Sequence, residues 1–397
     1  MNNAVVNLKK LDFVPYRAIL HRLMGRFINK EALHSARAEL GWTQSQLAKA
    51  VGVSSQSVTN WIKGKDFPRP ATLLKLATTL KLGFDQLVTT LDEGQPVVAF
   101  RKKGGAKTTA AHISKAEGIG MLLKPLVPHL PELQALRTLI TSPSTDYTNL
   151  QLSVSQTRTR LGLGEQAVLK YEHLIGEFNS CGAVLVPVLK GAKKSHENAL
   201  HIRLPQEDVT FIFLNLDTRL EDFKFWMAHE LAHVYTPGLA GTNEGEDFAD
   251  AFAGALLFPK VCAKQAYHEA MKAANINGAI KVLQQHASEH MISLNTAYQQ
   301  ITFLTKSIGL PSLHIEEKTI HAVRNSNHGP LVSAALFDPM PPEPKRYMAT
   351  CEHLFRSDFF NALKHMIHEN GTGASYIQQI LDTSLQDATA LHEAMNH

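Results

Sequence analysis

His229-Glu230-Leu231-Ala232-His233 places two imidazoles four residues apart with a carboxylate between them. On a helix, positions i and i+4 share a face, so both rings can reach one ion. Neutral imidazole suits zinc (Zn2+), and Glu230 stands beside the ion, where it can take a proton from bound water. The segment around the pair, Leu220 to Tyr235, spaces Leu220, Phe223, Trp226, Met227 and Leu231 as a buried helix would. A third protein ligand is expected from the run Glu246-Asp247-Phe248-Ala249-Asp250-Ala251-Phe252-Ala253, which begins 13 residues after His233. Glu246 is in register with the small and aromatic face of Ala249, Phe252 and Ala253, whereas Glu244 is not. Asp250 lies one turn further on that face, where it can accept the second ring N–H of His229. The fourth position then stays open for water, as a catalytic site requires. A packed tyrosine is one reading of Tyr235; steadying an oxyanion is the other.

Two other histidine groups lack this logic. His392 and His397 are five residues apart and so turned off a common face, and His365 and His368 have no carboxylate pattern behind them. Both are read as non-functional.

The elements that must position the metal-binding face have a recognisable order. From Gly182 onward, Ala183–Leu189 and Thr210–Asn215 are short runs rich in Val, Ile and Phe that read as strands. Helices are expected at about Leu220–Val234, Glu246–Leu257 and through Val261–Ser307. Thr210–Asn215 is read as an edge strand able to take up an extended substrate segment. Residues 114–175 look helical with a break at Ser142–Ser144, and Asp338–Arg346 is a proline-rich hinge. The expected fold class is α+β, mainly α with a small sheet. The expected domains are a helix-turn-helix at 29–88, a linker and connector at 89–160, a metal-binding domain at 161–310 and a helical segment at 311–397.

Ahead of the metal motif, Leu40–Pro70 reads as two short helices across a tight turn. Thr43 and Ser54 are good N-caps, and Gly52 supplies the turn. Leu47, Ala48, Val51, Val58, Trp61 and Ile62 form the inward faces. This stretch resembles the Xre/Cro-type helix-turn-helix over roughly sixty residues. The resemblance implies that the second helix enters the major groove. Ser55, Gln56, Thr59 and Asn60 would then face base edges, with Gln56 able to pair with adenine. Gln44, Lys63, Lys65 and Arg69 would contact phosphate.

The metal motif and the run E-x-x-A-D-x-F-A-x-x-L-L-x-P resemble the ImmA/IrrE metallopeptidase family over about residues 165–260, and the domain order resembles its long, two-domain members. That likeness implies a gluzincin arrangement with zinc held by His229, His233 and Glu246, Glu230 as general base, and cleavage of a repressor-like protein or of the chain itself. Ala232 stands where that family often has Gly, and Val234–Leu239 lacks its usual apolar run ending in His.

Charge agrees with a polyanion at the N-terminal end. Residues 1–110 carry 17 Lys and Arg against 7 Asp and Glu, which leaves 23 against 29 for the rest of the chain. Three distant cysteines suggest neither a disulfide framework nor a thiolate metal site. No apolar stretch has the length of a membrane helix and Met1 to Leu20 is no signal peptide, so a cytoplasmic protein without a membrane partner is expected. The expected partners are a double-stranded DNA operator and a protein substrate, with the chain acting as a homodimer on paired half-sites. The competing expectation is a transcription factor whose metal domain senses a ligand or stress without cleaving anything. A toxin–antitoxin or phage-control setting suits either.

Overall fold

Capping residues set the boundaries of the N-terminal helices. The computed structural model describes residues 27–62, 67–89, 95–102, 110–132, 139–190, 197–326 and 329–396. The chain divides into two units, residues 1–95 and 96–397. In the first, β1 (Phe27–Ile28) pairs antiparallel with β2 (Val88–Thr89), so the unit's two ends close on each other. Between them run α1 (Lys30–Glu39), α2 (Gln44–Val51), α3 (Ser55–Ile62), α4 (Pro70–Leu80) and α5 (Phe84–Leu87).

Thr43 and Gln46 form a reciprocal capping box at the start of α2: Thr43 Oγ1 accepts from the Gln46 N–H at 3.3 Å, and Gln46 Oε1 accepts from the Thr43 N–H at 2.7 Å. Gly52 ends α2 at φ 82°, a left-handed conformation that a side chain would strain. The apolar faces of these helices meet in one core, with Leu33, Leu47, Val58, Leu76 and Leu87 fully buried and Trp61 against them.

The second unit is built on a mixed four-stranded sheet. Its strands are β3 (Val97–Lys102), β4 (Ala183–Val188), β5 (Glu197–Leu204) and β6 (Val209–Asn215), in the order β3-β5-β6-β4. β6 runs parallel to β4 and antiparallel to β5, and β3 is antiparallel to β5. Helices α6 (Ala110–Leu123), α7 (Tyr147–Arg160) and α8 (Tyr171–Ser180) precede β4. After β6 come α9 (Leu220–Tyr235) and α10 (Asn243–Leu257), joined by a short 3-10 turn at Pro237–Leu239. Nine further helices complete the described chain: α11 (Lys260–Met271), α12 (Ile276–Glu289), α13 (Leu294–Ile308), α14 (Glu317–Ser326), α15 (Val332–Leu336), α16 (Pro344–Leu354), α17 (Phe359–Asn370), α18 (Ala374–Leu381) and α19 (Leu385–Asn396).

The fold is thus mostly helical with a small sheet. A single core runs from Ile119 to Met395, and it takes in the helices beyond residue 310 rather than leaving them apart. Tyr347 donates to the Pro187 carbonyl at 2.5 Å, which ties α16 to β4. Buried Arg158 on α7 donates to the Leu256 carbonyl at 2.8 Å and to the Gly164 carbonyl at 2.9 Å, fixing the end of α10.

The sheet corrects one expectation. Thr210–Asn215 is no edge strand, because β6 is flanked by β4 on one side and β5 on the other. β5 does not stand out in the sequence, since its residues ENALHIRL carry His201 and Arg203 at alternate positions. Both are nonetheless buried, at 1% and 2% exposure. β3 ends in Arg101 and Lys102 and reads as the start of a basic linker, yet it lies along β5.

Candidate metal centre and nucleic-acid interface

The fully buried stripe of α9 carries the metal motif. Phe223, Met227, Leu231 and Tyr235 pack into the core, and His229, Glu230 and His233 are exposed by no more than 1%. α10 crosses beside it with Phe248, Ala249, Phe252 and Ala253 buried at the contact. These small and flat side chains bring the Glu246 carboxylate to the two rings. His229 Nε2 lies 3.2 Å from His233 Nε2, Glu246 Oε2 lies 3.4 Å from His229 Nε2, and Glu246 Oε1 lies 3.3 Å from His233 Nε2.

The donor set fits a metal ion. Zinc bonds of about 2.0–2.1 Å in tetrahedral geometry require ligand atoms about 3.3–3.4 Å apart, and the three separations here are of that size. Among the described residues this is the only group of three such side chains with ligand atoms clustered closely enough to hold one ion. Glu244 is exposed and outside it.

Behind the cluster, His229 Nδ1 meets Asp250 Oδ1 at 3.0 Å, a contact that turns Nε2 toward the centre. Burial alone would lower the His229 pKa, but hydrogen bonds donated to Asp250 and Glu246 outweigh it and raise the group to about 9. Burial lowers His233 in spite of Glu246. Against its own partial burial, hydrogen bonds from both imidazoles hold the Glu246 carboxyl well below the usual carboxylate range. Without an ion, protonated His229 and the Glu246 carboxylate thus favour each other.

Glu230 stands apart from the three donors. Burial pushes its carboxyl up to about 8, and neither oxygen has a hydrogen-bond partner. Opposite it is His201, which the sequence pattern missed. His201 Nδ1 lies 3.7 Å from Glu230 Oε2, its ring sits edge-on to His233 with centroids 5.8 Å apart, and neither ring nitrogen is bonded. Burial depresses the His201 pKa well below its ordinary value. Four unpartnered buried polar atoms thus converge beside the metal cluster, where buried groups are normally paired. A single His in a strand beside no other ligand type carries no motif; only its pairing across the sheet reveals it.

Tyr235 is not brought to this cluster. Its hydroxyl donates to Glu177 Oε1 at 2.7 Å and accepts from Arg160, and its ring packs against Phe252 with centroids 5.9 Å apart. It is a packed tyrosine that joins α9 to α8 and α7. His368 and His392 face the backbone carbonyls of Met395 and Thr372 within α17–α19, and His397 lies outside the described residues.

Gly245 shows how tightly Glu246 is placed. A Cβ there would sit 2.2 Å from the Leu239 carbonyl oxygen, a backbone atom that cannot swing aside. Gly245→Ala is expected to cost about 1–3 kcal/mol through forced backbone movement. It should also weaken metal binding by displacing the next residue; thermal melts with and without added zinc would read both effects.

In the first unit, α3 presents its N-terminal turn outward. Ser55 and Gln56 are exposed and Thr59 and Asn60 half-buried. Gln56 Nε2 donates to Asn60 Oδ1 at 2.9 Å, so the two amides already lie side by side on one face. Gln44 donates to the Ser55 carbonyl at 3.1 Å and to Thr59 Oγ1 at 2.6 Å, clamping α2 to the start of α3. Arg69 is exposed just before α4, while Lys63 and Lys65 lie outside the described residues.

Residues 33–87 match the family model described as Helix-turn-helix. No curated protein matches the chain. The match covers the first unit's helices and supports double-stranded DNA as its partner. No helix among the described residues is long and apolar enough to cross a membrane.

Proposed function

We propose that this DNA-binding regulator carries behind its helix-turn-helix a zinc-dependent endopeptidase of the ImmA/IrrE, gluzincin kind. The observation that carries the reading is the triangle of His229 Nε2, His233 Nε2 and Glu246, with a buried, unpartnered Glu230 carboxylate beside it. A structural zinc would be closed by a fourth protein ligand and would need no general base.

His229, His233 and Glu246 would hold the ion, whose chemistry is to polarise a carbonyl and acidify water. Glu230 takes the proton from the attacking water and returns it to the leaving amine. In the metal-free protein burial lifts its pKa to about 8, so its carboxyl holds a proton more readily than an exposed one. Asp250 orients the His229 ring through Nδ1. His201, beside Glu230, is placed to hydrogen-bond to a reacting oxygen through either free ring nitrogen. The substrate is an extended segment of a repressor-like partner or of the chain itself. The test is to incubate the zinc-loaded protein with a library of unstructured peptides and map new termini by mass spectrometry. No zinc-dependent cleavage of any member would remove the peptidase reading.

A second reading, a metal-dependent sensor that cleaves nothing, is favoured by one observation. His229, Glu230 and His233 are exposed by no more than 1%, and of the three donors only Glu246 reaches solvent.

For the reader, Ser55, Gln56, Thr59 and Asn60 address bases, and Gln44, Arg69, Lys63 and Lys65 address phosphates. Gln56→Ala is expected to cost about 1–3 kcal/mol of discrimination at one base position. Arg69→Ala should instead weaken binding to all duplexes alike and flatten the salt dependence. Both are measured on a duplex selected from random sequence by the wild-type protein. Unchanged preference in Gln56→Ala would exclude it from base reading.

A further inference from the structure

β5 is the strand that looks onto the metal centre, through His201. Its outer edge is not open: β3 lies along it with Val97 opposite Arg203, Val98 opposite Ile202 and Ala99 opposite His201. Residues directly opposed across an antiparallel pair share a face of the sheet. Ala99, 3% exposed, therefore sits on the same face as His201, beside Glu230.

On its far side β3 meets the turn that leads into the ligand helix. A Cβ at Gly241 would lie 3.1 Å from the Val98 carbonyl oxygen, and Gly241 itself adopts φ 74°. β3 thus runs between the wall that carries His201 and the turn five residues before Glu246. An extended strand in this position hydrogen-bonds to β5 through its backbone, which is how a sheet edge binds a foreign peptide.

We infer that β3 is the chain's own occupant of the strand edge that a peptide substrate would use. The site accordingly takes an extended segment with a small residue opposite His201, and takes it only after β3 leaves. This rests on the peptidase reading for the word substrate, but not for the strand exchange itself. Exchange names a movement that would open the β5 wall of the centre, where His201 and Glu230 are buried, whereas Glu246 already reaches solvent. β3 also begins two residues after the end of the DNA-binding unit, so its release lengthens the segment joining that unit to the metal domain.

The test uses the full chain with zinc, in a Glu230→Gln background so that no turnover consumes the probe. The probe is a fluorescein-labelled synthetic peptide of residues 95–102, read by anisotropy. In one variant, Val98→Pro and Ala99→Pro are combined. Consecutive residues of a strand direct their N–H groups to opposite edges, so one of the two prolines removes a bond to β5. In the other, Val98→Cys and Ile202→Cys lock β3 in place by a disulfide; opposed Cα atoms in a ladder are about 4.5–5.5 Å apart, within disulfide range.

The probe should bind the double-proline variant about tenfold or more tightly than the parent, because a tethered strand competes at high effective concentration. It should not bind the oxidised double-cysteine variant, and reduction of that same sample should restore parental binding. Equal binding to all forms, with zinc content unchanged, would overturn the inference and make β3 an ordinary fourth strand. Because binding is read without cleavage, a catalytically dead centre leaves this result intact. Conversely, zinc-dependent hydrolysis by the oxidised, locked form with Glu230 restored would preserve the peptidase and exclude this strand exchange.

Discussion

Glu230→Gln is expected to lower kcat/KM for peptide hydrolysis about 10²–10⁴-fold, the usual contribution of a positioned general base. Zinc content and melting temperature should stay near those of wild type. The reason lies in what Glu230 touches. It is not among the three donor atoms, it is fully buried, and neither of its oxygens accepts a hydrogen bond within the protein. Its carboxyl lies 3.7 Å from the ring of His201, whose pKa burial depresses. A neutral amide of the same shape therefore breaks no internal hydrogen bond. It removes only the capacity to accept a proton. Stopped hydrolysis in a protein that still binds one zinc and melts normally would isolate that capacity as the defect. Unchanged hydrolysis would exclude Glu230 as the base. If instead every regulatory output survives in this variant, and its DNA binding responds to a small molecule, the sensor reading takes over.

How much of this was legible in the residues differs between the two halves of the site. The α9 donors are local: a four-residue spacing on a helix leaves little freedom, so His229 and His233 converge once the helix forms. Glu246 was legible because its alignment with Ala249, Phe252 and Ala253 says which way it faces. The Asp250 contact follows from the same face. The opposite wall was not legible. His201 reaches Glu230 through the contact of β5 with α9, which no spacing in the sequence records, and Arg203 and His201 make a buried strand look like a solvated one. β3 was hidden by its neighbours: VVAF is a plausible strand, but Arg101 and Lys102 at its end read as the start of a basic linker. Of the two readings of Tyr235, the packed one describes the structure. Its position at the end of α9 suggests the metal, yet Arg160 and Glu177, distant in sequence, bind its hydroxyl and turn it away.

The helix-turn-helix was legible for the same reason as α9. Its signals are a capping box, a left-handed glycine and two short amphipathic faces, all within about twenty residues. The tertiary roles within it were harder to see. Gln44 is spent on the Ser55 carbonyl and Thr59 Oγ1, so its first task is to hold α3 at a fixed angle to α2.

Glu246→Ala should reduce zinc affinity by more than the roughly 10–100-fold that loss of an outer hydrogen-bonding partner costs, and Asp250→Asn should fall within that range. The two variants differ in kind. Glu246 supplies an oxygen to the triangle and neutralises the pair of imidazoles, whereas Asp250 acts only through the His229 ring. The pH dependence separates them further. In the metal-free protein His229 holds its proton up to about pH 9, because Asp250 and Glu246 outweigh the effect of burial. Zinc must displace that proton, so wild-type affinity should rise with pH through neutrality and level off only above about 9. Asp250→Asn removes one of the two carboxylates that hold the proton, and the levelling point should move to lower pH even as the maximal affinity drops. Competition titrations with a chromophoric chelator between pH 6 and 10 would read both quantities. A wild-type affinity that does not change with pH would mean that His229 is already neutral when the ion arrives. Equal losses in the two variants, with the same pH profile, would mean that Glu246 merely braces the histidines. A centre held by two nitrogens alone would bind zinc too weakly to serve a hydrolase, and the triangle would have to be reread as a buried ion-pair network between α9 and α10.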